Sequence, residues 1–232
     1  MLRDIVSSIR YSSVGLKVFS VALTIAGLIY SVSMLLSAHD NTLVEGYMGF
    51  MKQDVCASVL PICLMLTCLG HVRFGTFELV RRNPVDEFKD NVVWLAVTSG
   101  LCALFGGLVF TGVECLVKHR LVAASDWSLA AMVVVQCLMM NCVVGLMQLV
   151  LACAGFAIEY VTAVLIAFFA VASWLLLAFE GDAARVVCYF WYPISPRWRD
   201  VALFQIVPCL VCCTLLGVAA VALFNTKDRL ED

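Results

Sequence analysis

The sequence predicts an all-α membrane protein with six transmembrane helices, and three observations carry that expectation. Of its 232 residues 63% are hydrophobic and 14% charged, with a mean hydropathy of +0.99, against roughly 45–50% apolar and about 25% charged in ordinary globular domains. The apolar residues gather into windows matching the roughly 20 residues that a helix needs to cross a ~30 Å hydrocarbon core. These windows fall at about 16–38, 54–72, 91–113, 128–153, 158–179 and 201–224. No soluble domain, low-complexity tract or inverted internal repeat accompanies them, so residues 1–232 read as a single transmembrane domain.

At the start of the chain residues 2–17 mix apolar and charged groups, with an interfacial helix expected over about 2–15. Leu2, Ile5, Val6, Ile9, Val14 and Leu16 stand among Arg3, Asp4, Arg10 and Lys17, the pattern of an amphipathic helix lying in the membrane interface. The same residues could instead extend the first span. The long basic preamble and the lack of a small-x-small exit predict that the first helix is retained rather than cleaved.

Lys and Arg in short loops set orientation. Arg3, Arg10, Lys17, Arg73, Arg81, Arg82, Lys89, Lys227 and Arg229 fall on the side of the termini, against Lys52, Lys118, Arg120, Arg185, Arg197 and Arg199 on the other. The first outer loop adds His39, Asp40, Glu45 and Asp54. The expected location is therefore the cell membrane, multi-pass, with both termini cytoplasmic.

Between the second and third windows lies GTFELVRRNPVDEFKDN, residues 75–91. Phe77, Val80 and Phe88 or their neighbours fall on one apolar side at helical spacing. Pro84 ends that pattern, and Asn83 before it is driven toward extended backbone. Asp86 and Glu87 then suit the positive N-terminal end of the next helix. The segment 75–90 reads as a short amphipathic helix, a proline turn and a helix start. Its bland interpretation is a solvated loop; its sharper one is a docking element, because Phe77 and Leu79 among Glu78, Arg81 and Arg82 provide an apolar anchor with a charged rim.

The fourth and fifth windows are joined so briefly, near Gly155 to Glu159, that a tight turn is required, and Glu159 is placed to cap the fifth helix. Polar residues within the spans are few and include the amides Gln136, Asn141 and Gln148 in the fourth and Gln205 in the sixth; such amides either bond helix to helix or line a path. Glu114 falls near a span end, and buried charge is expected to be scarce. The segment 180–199 contains Tyr189, Trp191, Pro193 and Pro196. It reads either as an interfacial aromatic belt or as a re-entrant hairpin closing the outer end of a path, since irregular backbone at depth must be buried or face water.

Composition also excludes functions. A net charge of −2 and a pI near 5.9 argue against nucleic acid. Most of the 12 cysteines sit in apolar runs and act as small hydrophobes. Cys209 and Cys212 form a lone CxxC without a second pair, so no metal site is expected; only Cys115 and Cys188 lie near span edges where oxidation is open to them. His39, His71 and His119 are scattered, and HExxH, GxSxG and Walker A patterns are missing. No catalytic residue is therefore expected.

In the order of its parts the chain resembles the membrane subunit of an ABC-2 type exporter, with a type V exporter-like architecture. The shared features are the N-terminal preamble, six helices, the Glu78-Leu-Val-Arg-Arg-Asn-Pro84 element, an irregular outer segment before the last helix and a short charged tail, Phe224-Asn-Thr-Lys-Asp-Arg-Leu230. The chain departs from that family in its small size and lack of a large outer domain. The resemblance implies that residues 75–83 form a cytoplasmic coupling helix, with Phe77, Glu78, Leu79, Arg81, Arg82 and Pro84 contacting an ABC ATP-binding subunit. It further implies a second permease, identical or related, and ATP with Mg held by the partner rather than by this chain. The cargo would be amphipathic, peptide or lipid-like. The alternatives are a membrane scaffold or immunity-type protein without a transport cycle, and an intramembrane lipid enzyme.

Overall fold

The computed structural model describes residues 2–37, 42–72, 84–119, 124–178 and 195–226, and the regular structure among them is entirely helical. Helix α1 (Leu2–Tyr11) has Asp4 in its first turn and Arg10 in its last, each opposite in sign to the local helix partial charge. Ile5 is buried, while Leu2, Val6 and Tyr11 are exposed. At the break after α1, Ser13 Oγ accepts from Leu16 N at 3.2 Å and Lys17 Nζ donates to Arg10 O at 2.8 Å. Thus α1 is distinct from α2 (Val14–Ser37) and does not merely extend it.

Helix α3 (Leu43–Gly70) starts on a capping box. Thr42 Oγ1 accepts from Glu45 N at 3.3 Å, and the Glu45 carboxylate accepts from Thr42 N at 2.8 Å, satisfying amides that the first turn would otherwise leave bare. The helix passes through a π-helical stretch, Phe50–Val59, before resuming as Leu60–Gly70. Because the cap lies at Thr42 rather than near 54, Lys52 and Asp54 belong to the helix and not to the first outer loop.

Helix α4 (Pro84–Gly112) opens on a proline, which needs no amide partner there, with Asp86 and Glu87 in its first turn. It ends in a π turn, Val113–Val117. Helix α5 (Ala124–Cys153) leads to α6 (Ile158–Ala178) through a tight turn. There Phe156 N bonds to Leu151 O at 3.2 Å and Gly155 N to Ala152 O at 3.1 Å, the paired bonds of a Schellman termination. Gly155 carries φ +98°, a conformation that L side chains resist. Glu159 lies in the first turn of α6. Helix α7 starts as Trp198–Val201, passes through Ala202–Ile206 and continues as Val207–Thr226.

Among the described residues five helices, α2, α3, α4, α5 and α7, are long and apolar enough to cross a membrane. The window at 158–179 coincides with α6, whose described apolar stretch, Ile158–Ala172, is shorter. In their most apolar windows α3 and α5 are 83% and 67% buried, against 22%, 39% and 11% for α2, α4 and α7. The core is therefore α3 and α5, with α2 and α6 packed on α3, α7 on α5, and α4 against both. Outer faces such as Leu203, Leu210, Leu215 and Val218 of α7 remain exposed and apolar, as a lipid-facing surface requires.

Candidate functional site

Around the two central helices α3 and α5, buried polar groups mark the junctions between helices, because buried polar groups need partners within the protein. The most complete junction lies toward the end away from the termini. Tyr47 Oη of α3 donates to Gln136 Oε1 of α5 at 2.6 Å, and Gln136 Nε2 donates to Gln205 Oε1 of α7 at 2.6 Å. All three side chains are fully buried. One amide thus ties together three helices.

At the same end Glu114 and Lys118, one helical turn apart on α4, form a buried ion pair, Nζ to Oε1 3.2 Å. Neither carboxylate oxygen of Glu114 accepts a well-aligned hydrogen bond, so the contact is held by charge. Gly46 of α3 faces this carboxylate; a Cβ there would stand 3.0 Å from Glu114 Oε1. Beneath it the rings of Phe50 and Phe110 meet at 5.7 Å between centroids.

On the seam between α2 and α3, Ser31 Oγ and Ser58 Oγ lie 2.5 Å apart and Ser58 Oγ also donates to the backbone oxygen of Asp54. Asp54 is only 2% exposed, with Oδ1 lacking a hydrogen-bond partner. Buried charges are few, as expected, and among the described residues they fall on Asp54, Glu114 and Lys118. For Asp54 the reason is the early start of α3; for the pair it is the prolongation of α4 through Val117.

Farther along, Asn141 Nδ2 approaches Ser99 O at 3.5 Å, while Gln148 Nε2 donates to Leu64 O at 3.1 Å and to Thr162 Oγ1 at 2.5 Å. Gln148 therefore links α5 to α3 and α6. The four amides named from sequence are all buried, but only Gln136 and Gln205 are brought together. Asn141 and Gln148 serve separate junctions, each with one carbonyl oxygen unpartnered.

A last junction sits where α3 ends. Beyond Gly70 the chain leaves the helix at His71, Val72 is buried, and Asn91 of α4 bonds its backbone twice. Val72 N donates to Asn91 Oδ1 at 2.8 Å, and Asn91 Nδ2 donates to Val72 O at 3.3 Å. Trp94 Nε1, on the next turn of α4, donates to Leu66 O at 2.9 Å.

The remaining sequence-predicted residues fall differently. Phe77, Glu78, Leu79, Arg81 and Arg82, and Tyr189, Trp191 and Pro193 of the segment expected to close the outer end, lie outside the described residues, as does Cys188. Pro84 begins α4, and Pro196 is exposed just before α7. Among the described residues no group of three or more His, Cys, Asp or Glu side chains is gathered for a metal ion. Sequence reading missed Tyr47, Asp54, the Glu114 and Lys118 pair and Asn91. The Thr42-x-x-Glu45 signature was the legible clue to the first two, since it places both inside a helix. No protein-family model, curated protein or solved structure matches the chain.

Proposed function

We propose that this chain is the permease subunit of an ATP-driven exporter of the ABC-2 kind, with six spans and both termini in the cytoplasm. It works with a separate ATP-binding subunit and a second permease, and moves an amphipathic, peptide or lipid-like cargo outward. ATP and Mg belong to the partner. The segment 75–83, with Phe77, Glu78, Leu79, Arg81 and Arg82, is the element that the ATPase engages.

One observation carries this reading: the amphipathic helix α1 packs against the Leu60–Gly70 part of α3, and α3 leads directly into that charged segment. Phe88, at the start of α4, meets Phe224, at the end of α7, with ring centroids 5.4 Å apart. The N-terminal helix, both flanks of the charged segment and the last helix therefore share one end of the bundle, where a partner could bear on several spans together. Force delivered there can reorient helices without any chemistry in this chain.

Purification of the chain from its native membrane tests the proposal. The expected result is a stoichiometric ATP-binding subunit that is released when Arg81 and Arg82 are both changed to Glu. Purification without an ATPase would return the chain to the scaffold or immunity-type reading.

A further inference from the structure

The charged segment is flanked on both sides by a fixed mount. On its N-terminal side α3 stops at Gly70, and His71 takes extended backbone, ψ 113°. His71 N bonds back to Cys68 O at 3.4 Å, but Val72 lies beyond the helix and is 1% exposed, so water does not supply its backbone a partner. Asn91 does, giving one donor and one acceptor to the same residue. This two-point grip fixes both position and direction of the chain immediately before Arg73. The side chain that grips it stands on the second turn of α4, after the segment has ended.

The next turn repeats the connection. Trp94 lies across Gly70 so closely that a Cβ there would come within 1.8 Å of Nε1, while its indole N–H holds Leu66 O. One turn farther, Thr98 Oγ1 and Thr67 Oγ1 lie 3.2 Å apart. The facing ends of α3 and α4 are thus joined at successive turns, by buried contacts at Asn91 and Thr98 and a part-buried one at Trp94.

We propose that Asn91, supported by Trp94, is a positioning residue that makes the ends of α3 and α4 a single mechanical unit. Displacement of the intervening segment by an ATP-binding partner is then passed into both spans instead of being absorbed where the chain leaves the helices. This rests on the permease reading above. Packing alone joins α3 and α4 along their lengths; the paired amide contact adds a polar tie at the point where the chain leaves α3.

The test uses the full chain in complex with its co-purified ATPase, reconstituted in vesicles, with spin labels at Leu66 and Val97. Asn91→Leu keeps the size of the side chain and removes both bonds to Val72; Asn91→Asp keeps the acceptor for Val72 N; Trp94→Phe removes only the bond to Leu66 O and serves if Asn91→Leu does not fold. In the unaltered complex the distance between labels is expected to stay constant when ATP is trapped. In Asn91→Leu the ATPase should remain bound, but the distance should spread on trapping and the permease's effect on ATP hydrolysis should fall by about fivefold or more, within the usual span of coupling between sites. Asn91→Asp should retain part of the effect. An Asn91→Leu or Trp94→Phe complex with unchanged hydrolysis and unchanged distance overturns the proposal while leaving the permease reading intact. Failure of the unaltered chain to bring down any ATPase overturns both.

Discussion

Tyr47 and Gln136 stand 89 positions apart in the chain and are joined by a hydrogen bond of 2.6 Å between fully buried side chains. Since Gln136 also donates to Gln205, its amide is the middle member of a chain linking α3, α5 and α7. Polar contacts of this kind within a bilayer contribute about 0.6 kcal/mol each on average and up to about 1.7. Tyr47→Phe should lose that amount. Gln136→Leu should cost more, about 1–3 kcal/mol, because it removes both bonds of the amide and leaves the buried Tyr47 hydroxyl without its acceptor. Reversible unfolding in mixed detergent measures both; equal losses in the two variants would count against a three-membered chain.

The Glu114 and Lys118 pair leads to a different pattern. Lys118→Met leaves a buried carboxylate without its cation and should destabilise the protein by about 3–5 kcal/mol. Adding Glu114→Gln removes the stranded charge and should recover most of that loss. A double variant no more stable than Lys118→Met would show that the pair contributes little through charge.

Gly70 and Trp94 form a steric lock. A methyl group at Gly70 would overlap the indole, its Cβ 1.8 Å from Nε1, and overpacking of this type costs about 1–3 kcal/mol. Gly70→Ala should therefore lower the melting temperature, and in a Trp94→Ala background the same change should have little effect. Gly100 on the same helix has nothing within 4 Å of an added Cβ; Gly100→Ala should stabilise by roughly 0.5–1 kcal/mol.

Gly155 bears on the turn between α5 and α6. Its φ of +98° should make Gly155→Ala unfavourable by about 1–2 kcal/mol, with Gly155→Asn milder since Asn enters positive φ more readily. Thermal unfolding monitored by circular dichroism distinguishes the two; a neutral Gly155→Ala would mean that the turn rearranges without cost.

Much of this was legible before any coordinates. The start of α4 was marked by Pro84, Asp86 and Glu87, and the short join at Gly155 by its length alone, because proline, acidic first turns and tight turns act over a few neighbouring residues. The beginning of α3 differs from its hydropathy window, which gives weight to Lys52 and Asp54, because the Thr42 and Glu45 cap starts the helix at Leu43. A polar residue can be carried inside the bundle when it faces another helix, and hydropathy averages cannot register which way it faces.

From the sequence alone follow the helical class, the apolar windows and the polar residues within them, since each depends on length, composition and local propensity. Only the tertiary structure decided that Gln136 meets Tyr47 and Gln205 while Gln148 meets Thr162, and that Asn91 holds Val72. Each residue turns a helix by roughly 100°, so a partner across a bundle depends on the rotation and register of two whole helices. Those are set by how all the helices pack at once.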